Sequence, residues 1–332
     1  MKKTWLIASL FAGTVALSPA QAQDTIELTF STYLPPAYEY IYKPVENFAK
    51  KVEEDSDGRV KINIFHSGQL FDGYEELAAL SRGDIDMTNM TGTYPGGTVP
   101  ALNVFTMPFA FDDVPHLQRA LDAGLLDLGI SQELHDDHDT VVLGVAPLDP
   151  YEFFSREAAI ETADDFKGKI WASTGSSDAR ALQLLGGSPT GMSSADLYLS
   201  FDRKVIDGTP RPLITGIGRS LYEVANHLSL ATFAFDTSIL SINKKKWDAL
   251  PEDIQEIFIA AAKERDDEQF ERVSRYVDEA LAKFEEENMT IHRIEGDALQ
   301  GLRDATAPAI EEWAAEVENG EAYLDLIAET RD

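Results

Sequence analysis

Residues Thr25 to Ser31 alternate apolar and polar side chains, the period of a half-buried strand. Over residues 36–54 the period changes. Tyr40, Ile41, Val45, Phe48, Ala49 and Val52 recur at helical spacing, and Asp57-Gly58 then marks a turn. Arg59 to Phe65 alternates again, with Val60, Ile62 and Ile64 expected inward. Residues 73–82 read as a short helix stopped by Gly83, and Asp84 to Met90 as the next strand. The order strand, helix, strand, helix, strand predicts a parallel sheet covered by helices. Ligands of such sheets sit beyond the carboxyl ends of the strands. Here those ends are Ser31–Tyr33, His66–Gly68 and Thr91–Tyr94.

A second unit is expected from about residue 149. Thr140–Pro147, Tyr151–Ser155 and Lys169–Ser173 read as strands and residues 176–186 as a helix. The apolar run Leu228–Asn243 is expected to lead back to the first unit. Residues 251–288 carry the longest helical pattern, with Pro251 suited to the first helical position and Glu252 and Asp253 to the first turn. Ile254, Ile257, Phe258 and Ala261 form one stripe; Phe270, Val273, Val277, Leu281 and Phe284 form another. The stretch Lys263–Gln269 between them is polar all round, which suits a strut between two bodies. The alternative is two ordinary helices joined near 264–268.

Composition narrows the function. The chain has 332 residues, enough for two domains, and no cysteine, which excludes disulfides, thiolate metal sites and cysteine nucleophiles. Its formal net charge of −30 repels phosphate backbones, so nucleic acid is not an expected partner. Lys2 and Lys3, the apolar stretch Trp5 to Leu17 and the small-residue site Ala20-Gln21-Ala22 have the layout of a secretory signal peptide covering 1–22. No later run is apolar enough to span a bilayer. The expected location of the mature chain is the periplasm.

Several segments together resemble the solute-binding subunit of tripartite ATP-independent periplasmic (TRAP) transporters, the DctP-like family. They are Gly58–Phe65 with Ser67-Gly-Gln-Leu70, Gly83-Asp-Ile-Asp-Met87, Phe105-Thr-Met-Pro-Phe109, Thr162–Gly168, Leu185-Gly-Gly-Ser-Pro189, Val205-Ile-Asp-Gly208 and Ile242–Pro251. Each is short; their joint order and spacing carry the resemblance across nearly the whole mature chain. It implies an α/β, two-lobed periplasmic binding protein with mixed sheets, crossing strands and a long lobe-spanning helix. The expected division is 23–148 plus 236–265 for one lobe and 149–235 plus 266–332 for the other. The implied function is capture of a small organic solute, usually an acid, by cleft closure and delivery to the small and large membrane subunits. No catalysis and no cofactor are implied, and a monomer is the family's default. A binding protein for an ATP-driven transporter, or a sensor, is the competing reading.

The chain departs from that family where the ligand is held. Members usually grip a carboxylate with an arginine just after a Gly-x-Lys-Ile stretch, because a planar guanidinium donates two parallel hydrogen bonds. Here the segment reads Gly168-Lys-Ile-Trp-Ala-Ser173, so Trp171 or Ala172 stands in its place. A second, upstream family arginine falls near Tyr151, and the asparagine often following Asp-Gly falls at Arg211. Three readings stay open. Arg211 supplies the cation for an acid; Tyr151, Phe154 and Trp171 form an aromatic wall for a neutral or aromatic solute; or those faces hold a cationic or zwitterionic ligand. Plain alternatives are a surface ion pair for Arg211 and core packing for Trp171. Tyr33, Tyr38, Glu75, Thr91, Tyr94 and Phe235 complete the cleft candidates, chosen for their places at or beyond strand ends.

Other chemistry finds little support. His135-Asp-Asp-His138 has a metal-like spacing, but its polar surroundings suggest a solvated turn, so no metal is expected. Gly-x-Ser-x-Gly, phosphate-loop and dinucleotide fingerprints are missing. Lys244-Lys-Lys246 reads as a solvated approach to a helix.

Overall fold

The computed structural model describes residues 25–331; the expected signal peptide lies outside them. Among the described residues eleven strands form two sheets. The first holds β1 (Ile26–Ser31), β2 (Val60–Phe65), β3 (Met87–Thr91), β4 (Thr140–Pro147) and β10 (Thr237–Asn243), in the order β2-β1-β3-β10-β4. The second holds β5 (Tyr151–Ser155), β6 (Ile170–Ser173), β7 (Ser188–Gly191), β8 (Gly208–Pro212), β9 (His227–Ala234) and β11 (Thr290–Arg293), in the order β11-β9-β5-β8-β6-β7. Both are mixed. β1 runs parallel to β2 and β3, whereas β10 runs antiparallel to β3 and β4.

Helices cover the sheets: α1 (Glu39–Asp55), α2 (Glu76–Arg82), α3 (Val114–Asp122), α4 (Ile130–Asp137), α5 (Ser176–Leu184), α6 (Leu197–Asp202), α7 (Leu213–Gly218), α8 (Lys244–Ala249), α9 (Glu252–Glu286), α10 (Gly296–Glu316) and α11 (Gly320–Glu329). The six apolar positions read from residues 36–54 are all buried on α1. Gly83 closes α2 with a left-handed φ of 77°.

The chain passes between the sheets more than once. β4 leads to β5 through 148–150, and β9 returns to β10 through Phe235-Asp236. The 35-residue α9 makes a third pass. Its Ile254, Phe258, Ala261 and Ala262 pack with Leu28, Phe30 and Phe48, and its Ala280 and Phe284 pack with Phe154 and Leu228 beside the second sheet. A fourth pass follows. α10 packs on α5, while α11 packs on α3. His116 Nε2 lies 2.9 Å from the Ile327 carbonyl, Arg119 Nε donates to Thr330 O at 2.9 Å, and Ile130 N donates to Tyr323 Oη at 3.2 Å. Residues 320–331 thus belong with the first lobe, not the second as the expected division had it. Tyr323, Ile327 and Trp313 give this end an apolar face that the 114–134 helices cover.

The polar middle of α9 is also corrected. It is not solvated all round. Arg265 and Gln269 are buried. Arg265 Nη2 donates to Ser238 Oγ at 2.7 Å and to Asn89 Oδ1; Gln269 Nε2 donates to Pro147 O at 3.1 Å and Gln269 Oε1 accepts from Ser238 Oγ at 2.9 Å. The neighbouring Asp266 accepts from Val145 N at 2.9 Å. Buried polar side chains are tolerated when so paired. His135 sits in the last turn of α4 rather than a loop, half-buried, with Nδ1 on Asp136. The three lysines at 244–246 pair with Asp248, Asp139 and Asp86.

Candidate ligand-binding site

The ends of β1 and β3 place aromatic side chains toward the second sheet. Tyr33 Oη lies 2.6 Å from Thr91 Oγ1, and Tyr33 N donates to Glu76 Oε1 at 2.5 Å. The Tyr94 ring stands 4.9 Å from that of Tyr33 and stacks on Tyr74 at 4.4 Å with planes 26° apart. This crowding needs a glycine: a Cβ on Gly73 would come within 2.4 Å of the Tyr94 ring and 3.0 Å of Tyr33. Burial raises the pKa of Tyr33, Tyr74 and Tyr151, so their hydroxyls stay neutral at physiological pH.

The opposite wall comes from β8 and α7. Arg211 is 1 % exposed. Its Nη1 donates to Pro210 O at 2.8 Å and its Nη2 to Met192 O at 2.8 Å and Ser173 O at 3.2 Å. Its Nε finds no hydrogen-bond partner among the described residues. Among the described residues no carboxylate reaches ion-pair distance of it. Asp178 is the nearby acid, and it is already taken by Thr174 N and Gly175 N, each at 2.7 Å. Arg219, just past α7, lies 5.4 Å over the Tyr38 ring, and its Nε and Nη2 are buried without partners.

The two walls touch. Tyr94 Oη accepts from Ser194 N at 3.0 Å, Tyr74 Oη donates to Thr174 O at 3.0 Å, and Tyr38 Oη lies 3.3 Å from Ser194 Oγ and 3.2 Å from Thr215 Oγ1. At the floor, Tyr151 Oη and Thr93 Oγ1 both donate to Asp236 Oδ2, at 3.0 and 2.6 Å. Burial raises the Asp236 carboxyl to about 6, against the lowering pull of these donors. Tyr74 and Met192 also line an adjoining rim groove of ≈ 530 Å³. The arrangement is a tyrosine cage beside two guanidiniums, neither with a carboxylate at ion-pair distance among the described residues, and with Arg211 Nε left unbonded. A buried guanidinium with an unused donor favours an anionic guest.

Of the sequence candidates, Tyr33, Tyr38, Thr91, Tyr94, Tyr151 and Arg211 come together here. Four do not. Phe154 is fully buried in the second-lobe core against Phe284, 5.6 Å between ring centroids. Trp171 is fully buried between Phe166 and Phe153. Phe235 packs edge-on to Phe111 in the first-lobe core. Glu75 is exposed and caps the backbone of Asp72; its neighbour Glu76 is the buried acid. The aromatic wall of Tyr151, Phe154 and Trp171 therefore does not exist as a surface. Tyr74, Asp178, Ser194, Arg219 and Asp236 were missed. The sequence offers no signal for Arg219 or Ser194, whose places depend on contacts with residues far away in the chain, Tyr38 and Tyr94.

The profile of the family described as bacterial extracellular solute-binding protein, family 7 (DctP), matches residues 30–316. The chain belongs to this family. A solute-binding protein of Chromohalobacter salexigens is 28 % identical, the match covering 71 % of this chain and 69 % of that one. The sialic acid-binding periplasmic protein SiaP of Vibrio cholerae is 24 % identical over 83 % of this chain and 85 % of its own. A TRAP periplasmic solute-binding protein of Desulfovibrio desulfuricans, solved with bound sn-glycerol-3-phosphate, superposes with a TM-score of 0.86 at 25 % identity, covering 92 % of this chain and 97 % of that one. Family members are solute receptors of two-lobed, mixed α/β build, as the two sheets and α9 show here.

Proposed function

We propose that the chain captures a small organic acid between its two lobes in the periplasm and passes it to the membrane subunits of a TRAP transporter, without making or breaking a bond. The observation that carries this reading is Arg211: a buried guanidinium whose Nε–H is unbonded and which, among the described residues, has no carboxylate at ion-pair distance. A ligand carboxylate supplies the missing partner through charge-assisted hydrogen bonds. Two of the relatives named above, for sialic acid and for sn-glycerol-3-phosphate, hold anionic guests, which supports the same reading. Among the described residues no helix is long and apolar enough to cross a membrane, in keeping with a receptor that works beside one.

Capture follows from differential contact. Tyr38, Tyr74 and Tyr94 on one side meet Thr174, Ser194 and Thr215 on the other, contacts that parting the lobes would break. A guest that bonds both Arg211 and the tyrosine wall is held by more groups in the shut state than in the open one, and so shifts the population toward it.

The test is a thermal-shift screen followed by calorimetry, using aliphatic acids, sugar acids, aromatic acids and compatible solutes. An acid at 100 times its dissociation constant stabilises the protein by about 2.7 kcal/mol, and Arg211→Ala weakens it more than tenfold. Tight binding of an uncharged solute with no response to acids overturns the proposal, as does unchanged affinity in Arg211→Ala.

A further inference from the structure

His227 and His292 are 65 positions apart, and the fold sets them side by side. β11 is the edge strand of the second sheet and runs parallel to β9, with Thr290 opposite His227 and His292 opposite Ser229. The two histidines are therefore diagonal neighbours on one face. His227 Nδ1 and His292 Nε2 face each other at 3.4 Å. That is longer than the ~2.7–3.2 Å of an ordinary N–H hydrogen bond. It matches the distance of about 3.3–3.4 Å between two nitrogens sharing a tetrahedral ion with bonds of ~2.0–2.1 Å.

His292 Nδ1, the ring nitrogen turned away from His227, lies 4.0 Å from Glu161 Oε1, on the side where a carboxylate supports an imidazole at metal centres. Both rings are partly exposed, so an ion can enter from solvent.

We propose that His227 Nδ1 and His292 Nε2 form a two-nitrogen site for a first-row transition-metal ion such as Zn²⁺, water completing the shell. Imidazole ligands select Zn²⁺, Cu²⁺ or Ni²⁺ over Mg²⁺ and Ca²⁺. Among the described residues no three of His, Asp or Glu converge on a metal position, so the affinity is that of a two-ligand site. The ion would staple the short edge strand β11 to β9, and with it the chain end that follows. The site is separate from the ligand cage, and its test does not depend on the proposed solute.

The experiment is calorimetric titration of the untagged chain with Zn²⁺, with thermal unfolding alongside. One saturable site and a rise in the unfolding midpoint, reversed by a chelator, are expected. His227→Gln and His292→Gln each lower the affinity at least tenfold, and His135→Gln leaves it unchanged. Both test side chains are partly exposed, and circular dichroism checks that the variants fold. With Cu²⁺, electron paramagnetic resonance shows two equivalent nitrogen couplings. The proposal is overturned by no saturable binding at millimolar Zn²⁺, by binding that survives both substitutions, or by fewer than two nitrogens on copper.

Discussion

Tyr40 and Asp149 bond each other in both directions: the Tyr40 hydroxyl donates to Asp149 Oδ1, and Asp149 N donates to Tyr40 Oη at 3.0 Å. Asp149 Oδ2 also accepts from Ile214 N at 3.2 Å. One buried carboxyl thus ties α1 of the first lobe, the first crossover and α7 of the second.

That carboxyl makes stability pH-dependent. Burial raises Asp149 to about 7 and Glu152 to about 8. The folded state then holds protons that the unfolded chain, with ordinary carboxyl values, has released. The stabilisation is complete below the unfolded values and is lost as pH rises through about 6 to 8. Denaturant unfolding should show higher stability at pH 5.5 than at pH 8, by up to ~1.4 kcal/mol per group and pH unit. Asp149→Asn, which mimics the protonated form, should flatten that slope. A stability that climbs with pH over this range contradicts the assignment.

Arg219 should matter less than Arg211. It is partly exposed and also rests on Tyr38. Arg219→Gln is expected to weaken an acidic ligand by three- to tenfold, and Arg219→Lys to recover little, since a point charge does not reproduce the fork. Isothermal calorimetry on both variants, at low and high salt, measures this.

Trp171→Ala should cost about 3–5 kcal/mol of stability, as expected for an aromatic removed from a packed core. The indole fills the space between Phe166, Gly187 and Gly208. The folded remainder should bind ligand within threefold of the parent. A large affinity loss at preserved stability would return Trp171 to the site.

Gly73→Ala tests the tyrosine stack. The new methyl overlaps the Tyr94 ring, which must move and release Ser194 N. Affinity should fall at least tenfold with a modest change in unfolding midpoint, because Gly73 belongs to a loop before α2. An unchanged dissociation constant would show that the Tyr94 contact contributes nothing to closure.

The fold was legible where one face of an element meets water. β1, α1 and β2 carry clean periods because each has a polar side. All five residues of β5 and of β8 are buried. A strand covered on both faces has no polar side, so Phe154 in the core and Tyr151 in the cage look alike in sequence. Arg211 is marked in the sequence by its place after Asp207-Gly208, where the resembled family often has an asparagine, but its depth is not legible there. Glu75 is a candidate only by its place near a strand end, which does not tell which way it faces; Glu76, the first residue of α2, is the one turned inward, since one residue along a helix turns a side chain by about 100°. The middle of α9 was misread because its polar groups find partners on β3, β4 and β10, which no local pattern reports.

Four passes between the sheets, an even number, leave Thr25 and Arg331 on the same lobe. A fluorophore or surface tether attached at either position therefore rides on one body and leaves the other free to swing. A probe that reports the swing needs its second dye within the inserted stretch, on α5 or α10, for instance. A single proteolytic nick at any pass leaves three connections standing, so clipped material should still run as one particle on a sizing column.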